Sequence, residues 1–276
     1  MKKLLLYSVL ILFGILFFNH ANAFVTKSGN VSGEYWHNTD TYYVTGDLTV
    51  DAGTTFEIQA GTRVKFAPGT GLTVYGTLIA NGNSSSNIFF TSRDDNNVGE
   101  TITGSDGNPN PGDWGFIGIY GNSGNDGIAS FNYCHVRYGG SSGYGNVYFN
   151  EADSPTFTNS SAAYSSYYGI MSNSSNVQFE SSDFASNTSH GIYATQGELQ
   201  INNCFFLNNS GYAANLSNVS IIPYTGNTGS GNTINAFGIS GTIDQNITLA
   251  QNVCGFPYVL IGNTTLTADH ILTIPA

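Results

Sequence analysis

Charge is what this chain has least of. Only 9% of its 276 residues are Asp, Glu, Lys or Arg, and 7 basic residues stand against 18 acidic ones. Phosphate backbones are held by clustered Lys and Arg. No such cluster exists, so nucleic acid is excluded as a partner, and polyanions are disfavoured unless a cation bridges them. Cysteine is scarce as well. Cys134, Cys204 and Cys254 are too few, and odd in number, for a disulfide framework. The Ala, Leu, Glu and Lys content from which helices are built is missing, and nothing beyond Phe18 is long and apolar enough to cross a bilayer.

What remains is 34 Gly, 13% aromatic residues and many Ser, Thr and Asn, with 40% hydrophobic residues placed at regular intervals. That regularity argues against disorder and for an all-β chain. Residues 1–23 read as a signal peptide: Lys2 and Lys3, an apolar run from Leu4 to Phe18, and a small-x-small site at Ala21-Asn22-Ala23. The run is short for a membrane span. Cleavage there starts the mature chain at Phe24, removes both lysines and takes the formal charge from −11 to −13. The expected location is secreted or on a cell surface.

The sequence from Tyr168 to Gly211 can be laid on itself at an offset of 22. Gly169 then meets Gly191, Val177 meets Leu199, Phe179 meets Ile201, Phe184 meets Phe206 and Asn187 meets Asn209. Extended backwards, with one longer step of 26, the columns read Phe131, Phe157, Phe179, Ile201 and Val136, Ala162, Phe184, Phe206. A fixed period, short apolar pieces and no helical periodicity predict stacked coils, a parallel β-helix. Cys134 and Cys204 fall in one column with Ser160 and Ser182 between them. Three coils at about 4.8 Å put them roughly 14 Å apart, beyond disulfide reach, so they read as small buried thiols. Recurrent Asn187 and Asn209 predict a hydrogen-bonded corner ladder.

Residues 24–41 read as an N-terminal linker or cap, with Tyr35-Trp36-His37 covering the first coil. From Leu48 in-out-in triplets recur every eight residues: Leu48-Thr49-Val50, Phe56-Glu57-Ile58, Val64-Lys65-Phe66, Leu72-Thr73-Val74. Glycines 53, 61, 69 and 76 mark the corners. Three such faces make a 24-residue turn, with Val50 beneath Val74 and with Glu57 and Lys65 pointing outward as solvated charges on different faces.

This stretch resembles exported bacterial right-handed parallel β-helix proteins of the pectate-lyase-like fold. The match rests on Leu48-Thr49-Val50, Gly61-Thr62, Val64-Lys65-Phe66, Leu72, Val74, Gly76, Leu78, Ala80, Gly82, Ile88 and Phe90-Thr91-Ser92, continuing into Asp94-Asp95 and Pro111-Gly112-Asp113-Trp114-Gly115. The resemblance is specific from about Thr41 to Gly121 and generic elsewhere. It implies the fold but no single function, because that scaffold hosts lyases, hydrolases, adhesins and stalks.

The insertion 93–113 breaks the rhythm. Its Asp94, Asp95, Asp106, Asn108, Asn110 and Asp113 offer oxygen ligands at short spacing, a pattern that suits calcium in a structural role, against the alternative of a solvated polar loop. Trp114, Tyr138, Tyr144, Tyr168 and Tyr193 are candidate sugar-binding rings, against the alternative of packing or corner residues. Catalysis would require grouped carboxylates with a base. Polygalacturonase-like β-helices carry an acidic cluster with Gly-His-Gly and Arg-Ile-Lys elements, whereas this chain has Ser189-His190-Gly191, its one Asp-Asp lies in the insertion, and Arg-Ile-Lys is absent. Arg137 with Glu151, Asp153 and Asp183 is the remaining candidate catalytic set, although the 30 residues between the two aspartates are not a whole number of coils.

Tyr42 to Ala60 aligns without gaps on Tyr258 to Ala276. The body 42–250 is therefore expected to be one β-helix and 251–276 the truncated start of a second unit, the chain being a fragment of a longer protein. The functional expectation is a non-catalytic binding, adhesive or spacer role towards a polysaccharide or cell-surface glycan. The alternative is a polysaccharide lyase or glycoside hydrolase acting on acidic polysaccharide.

Overall fold

The structure, a computed structural model, describes residues 24–121, 124–221, 224–250 and 255–275. The leader 1–23 and Cys254 lie outside the described residues. The chain winds as an all-β parallel solenoid of about 23 residues per turn. Each turn contributes one short strand to each of three faces. The first face holds Thr55–Ile58, Thr77–Asn81, Ile128–Asn132, Thr156–Thr158, Val177–Glu180 and Glu198–Asn202. The second holds Arg63–Phe66, Ile88–Ser92, Cys134–Arg137, Ser161–Ala163, Asp183–Ala185 and Phe205–Leu207. The third holds Leu72–Val74, Ile117–Tyr120, Gly145–Asn150, Tyr168–Asn173, Ile192–Thr195 and Tyr212–Ser217. The second and third merge into one 17-stranded sheet because the strand Thr41–Val50 runs round their shared corner unbroken, while the first is a separate 8-stranded sheet.

Register follows the sequence columns. Phe131 pairs with Phe157, Phe157 with Phe179 and Phe179 with Ile201. Val136, Ala162, Phe184 and Phe206 run in line on the second face, and Val50 lies against Val74. Alternate side chains point into the shaft, and these are buried from Thr41–Val50 to Tyr212–Ser217, whereas no residue of Tyr258–Leu266 is buried. Each large apolar side chain removed from water there stabilises the stack by about 1.5–3 kcal/mol. A one-residue slip would turn every column to solvent, so the register is strongly fixed.

The corners are single residues in the left-handed region. Asn159, Ser181 and Asn203 form one such column (φ 49, 50 and 53°), and Ser174, Gln196 and Asn218 another (φ 49, 62 and 53°). That conformation costs about 1–2 kcal/mol for an ordinary residue. It is retained because the bend keeps each corner amide in the ladder: Asn159 N donates to Glu180 O, Ser181 N to Asn202 O and Asn203 N to Thr225 O. Gly76 answers a different need. Its φ is not positive, but a Cβ there would lie 2.3 Å from the Asp51 carbonyl oxygen.

Two corners are lined by polar ladders. Between the second and third faces, Asn187 Nδ2 donates to Asn209 Oδ1 (2.9 Å), Asn209 Nδ2 to Asn232 Oδ1 (2.8 Å) and Asn232 Nδ2 to Asn235 Oδ1 (2.8 Å). Between the first and second, Cys134 N donates to Ser160 Oγ and Ser160 N to Ser182 Oγ, while Cys204 N donates to Asn227 Oδ1. Both described thiols are buried and unbridged. Burial pushes the Cys204 thiol up to about 12, and the Cys134 thiol up as well, which leaves them without nucleophilic thiolate at neutral pH.

Two segments depart from expectation. Phe24–Asn30 pairs in parallel with Thr41–Val50, and Tyr35–Trp36 pairs with Thr55–Ile58. Residues 24–41, expected as a linker or cap whose aromatics cover the first coil, pair as a turn of the solenoid, with Trp36 buried between Tyr42 and Phe56. At the other end, Tyr258–Leu266 pairs in parallel with Ile234–Ile243 and Leu272–Thr273 with Ile247–Thr248. The segment from Tyr258 continues the same stack instead of opening a second unit. Its likeness to Tyr42–Ala60 is the likeness of any two coils.

Candidate functional site

The insertion 93–113 leaves the corner between the second and third faces and lies back over the outward side of the second. Lys65, Thr91 and Arg137 stand in one outward column there. Asp95 comes down on them with a side chain only 1% exposed. Thr91 Oγ1 donates to its Oδ2 at 2.7 Å, and Arg137 Nε and Nη2 donate to the same oxygen at 2.9 and 2.5 Å. Lys65 Nζ donates to the Glu100 carbonyl oxygen at 2.6 Å. Lys65 is thus buried and not a solvated charge. Burial draws its ammonium below the ordinary lysine value, partly opposed by Asp95, Glu100 and Asp94. The period-2 pattern places Lys65 outward correctly; what covers it is a loop 35 residues further on.

This clasp also reassigns the candidate catalytic set. Arg137 is committed to Asp95. Glu151 sits at a left-handed corner after the third face (φ 52°), Asp153 receives a hydrogen bond from Ser154 at the surface, and Asp183 points outward between Ser161 and Phe205. The three acids do not gather around Arg137.

The calcium ligands do not converge either. Asp94 Oδ1 receives Arg93 Nε and Asp106 N, Asp106 Oδ1 receives Asn108 N, and Asp113 Oδ2 receives Ser92 Oγ and Asn110 N. Asn110 Nδ2 donates to Asn108 O. These oxygens hold the loop's own backbone, and among the described residues no three His, Cys, Asp or Glu side chains form a metal-sized group. The donor set as folded does not fit a cation shell.

Trp114 is not a sugar platform. It is wholly buried, stacks on Phe66 (centroids 4.3 Å apart, 11°) and donates from Nε1 to Arg137 O at 2.8 Å. It plugs the corner where the insertion rejoins the coil. Tyr138 stacks on Tyr164 (5.2 Å, 18°) beside the Arg137 guanidinium, which anchors it to the clasp.

Tyr144, Tyr168 and Tyr193 are different, because they belong to two groups of rings on the third face, separated at the coil of Met171, in which Tyr168 is buried and Tyr144 and Tyr193 are half-buried. Its outward column reads Gly118, Tyr148, Met171, Tyr193, Asn215 in successive coils. The rings of Phe116 and Tyr120 fill the space over Gly118, where a Cβ would come within 2.7 Å of Tyr120. Phe116 stacks on Tyr144 (4.2 Å), Tyr120 meets Tyr148 edge-on (5.8 Å), and Tyr75 tilts against Tyr120 (5.8 Å). Further along, Tyr168 stacks on Tyr193 (4.7 Å, 11°) and on His190, which meets Tyr212 edge-on.

Next to the rings runs a polar column. Tyr148 Oη donates to Asn150 Oδ1 (2.9 Å), Asn173 Nδ2 to the same oxygen (2.8 Å) and Thr195 Oγ1 to Asn173 Oδ1 (2.9 Å). Burial raises the phenols of Tyr120, to about 12, and of Tyr148, so they remain neutral donors. His190 Nδ1 accepts Tyr212 N at 2.9 Å. That bond fixes the neutral tautomer with the proton on Nε2, and burial lowers its pKa. A ring nitrogen already engaged by an amide is no general base. Tyr75, Phe116 and Tyr120 escaped the sequence reading although the alternation rule places Tyr120 outward, one residue past inward-facing Ile119.

No protein-family profile matches the chain, and no curated protein matches it in sequence. Among solved structures, a mutant of the periplasmic alginate epimerase AlgG is similar over 87% of this chain and 76% of that one, at 8% identity and a TM-score of 0.30. A likeness of that size carries no argument about chemistry.

Proposed function

We propose that this chain is an exported, glycan-binding solenoid whose binding surface is the third face, without turnover of the ligand. The observation that carries the reading is the band of rings from Tyr75 to Tyr212 laid beside the column Asn150, Asn173, Thr195. Sugars present an apolar C–H face and a rim of hydroxyls. Partly exposed aromatic rings flanked by amides and hydroxyls answer both. The reading of export rests on the leader sequence.

A glycan array combined with an activity screen on neutral and acidic polysaccharides, with and without calcium, tests the proposal. Binding without product formation is the expected result, and Tyr193→Ala should weaken it by about 1.4 kcal/mol, or about tenfold, near the upper value of one aromatic contact. Release of unsaturated or reducing ends would overturn the non-catalytic reading. Silence in both assays would leave a spacer.

A further inference from the structure

Two features of the third face go beyond its ring content. The first is charge. The eight successive strands from Leu72–Val74 through Ile117–Tyr120, Gly145–Asn150, Tyr168–Asn173, Ile192–Thr195, Tyr212–Ser217 and Ile234–Ile243 to Tyr258–Leu266 contain no Asp, Glu, Lys or Arg. The chain around them carries a net charge of −11, and Glu151 stands at the rim, one residue past Asn150. A uronate or sulfated chain would find no cation on this surface, in the field of an acidic protein. A cationic chain would find no carboxylate within it.

The second feature is spacing. Tyr148, Met171 and Tyr193 occupy the same column in three successive coils. Coils are held at the inter-strand distance, so the backbones that carry the two tyrosines stand about 10 Å apart along the solenoid axis, with the Tyr193 ring stacked on Tyr168 of the intervening coil. An extended ribbon of β-1,4-linked pyranoses turns each sugar over relative to the last, and returns the same face to the same side after every second sugar, a repeat of matching length. The intervening sugar meets Met171, an unbranched side chain that adapts to either face. The column Asn150, Asn173, Thr195 supplies one polar side chain per coil, hence one per sugar.

We propose that the third face binds a neutral, extended β-1,4-linked polysaccharide running parallel to the solenoid axis, with alternate sugars resting on the rings at Tyr148 and Tyr193. The inference rests on the glycan-binding reading above and narrows it to a class of ligand.

The test is calorimetric titration of the purified protein with β-1,4-linked glucose, mannose and xylose hexasaccharides. Comparison ligands are an α-1,4-linked glucose hexasaccharide, which coils, and an oligogalacturonate, which is acidic. Binding confined to the β-1,4-linked neutral set is expected. Tyr148→Ala and Tyr193→Ala should each weaken it about tenfold. A register variant combining Met171→Tyr with Tyr193→Met keeps the number of rings but shortens their separation to one coil, and it too should lose about tenfold. These side chains point outward, so unchanged thermal melts will show that the variants fold.

Equal binding of the coiled α-linked chain, or full affinity in the register variant, would overturn the ribbon geometry while leaving glycan binding intact. Preference for the oligogalacturonate would overturn the charge argument. Failure of every glycan, here and on the array, would overturn the glycan-binding reading itself.

Discussion

Asn209→Ala puts the corner ladder to the test. The side chain is 1% exposed and makes four hydrogen bonds. Its Oδ1 accepts Asn187 N (3.2 Å) and Asn187 Nδ2 (2.9 Å), and its Nδ2 donates to Phe184 O (2.9 Å) and Asn232 Oδ1 (2.8 Å). Truncation does not strand all four partners. Asn187 Nδ2 keeps Ala162 O, and Asn232 Oδ1 keeps the Asn209 amide. Asn187 N loses its partner outright, whereas Phe184 O stays in the ladder of the second face, where Phe184 pairs with Phe206. At about 1–3 kcal/mol for a buried group left unsatisfied, the expected cost is about 1–3 kcal/mol.

Because each coil touches only its neighbours, unfolding of a solenoid is not guaranteed to be one global step. Denaturant melts are therefore joined to hydrogen exchange, in which the Asn187 amide should lose protection. Ser210→Ala, an exposed neighbour, serves as the control and should stay within about 0.5 kcal/mol. Asn187→Ala combined with Asn209→Ala should cost less than the sum of the single changes by about 0.5–3 kcal/mol, since one ladder is broken twice. A loss at Asn209 no larger than the control, or strict additivity with Asn187, would refute the ladder as a source of stability.

Two further perturbations address the clasp and the titrating histidines. Asp95→Asn leaves Arg137 and Lys65 without their buried counter-charge and should cost about 3 kcal/mol or more; a denaturation midpoint unchanged from the parent would show that the insertion is not held by that carboxylate. His135 and His190 have pKa values lowered by burial, and for His135 also by Arg137. Their neutral forms are favoured in the fold, so the stability they contribute is complete above the ordinary value of 6.5 and is lost as pH falls through the lowered folded values. Thermal melts between pH 7.5 and 5 should therefore decline, and a His135→Phe, His190→Asn double variant should flatten the decline.

The columns of the fold could be read from the sequence because a solenoid converts an offset into a contact. Phe157 over Phe131 and Asn187 beside Asn209 needed only a period and the two-residue alternation of a strand. What the period does not encode went unread. The cover of Lys65 and Arg137 arrives from an insertion outside the repeat, so the period alone leaves them to solvent or catalysis; for Trp114 the sequence leaves packing and a sugar platform both open, and packing is what the corner created by the insertion requires. The insertion's Asp and Asn spacing suggested a cation, yet the same residues cap their own turns, a use that sequence spacing does not distinguish from ligation. The motif from Tyr258 repeats that from Tyr42, and a repeat motif marks a coil's shape rather than its place in the stack.

The same logic explains why the third face can be flat, neutral and evenly spaced at once. In three successive strands the inward residues Val147, Phe149, Ile170, Ile192 and Ala194 carry the packing of the shaft, and the outward residues pack only among themselves. Their separation is set by backbone pairing rather than by side-chain contacts. Tyr148 and Tyr193 therefore stand two coils apart whatever occupies the position between them, and Met171 is tolerated there without disturbing either. The corner ladder runs beside this face, through Asn187 at the turn that leads to Ile192–Thr195 and Asn209 at the turn that leads to Tyr212–Ser217. The Asn187–Asn209 and Asn209–Asn232 bonds each span one coil step, which fixes the pitch at the edge where His190 and Tyr212 close the band of rings. A ligand whose own repeat is rigid is best matched by a protein surface whose repeat is equally rigid, because neither partner then loses much freedom on binding.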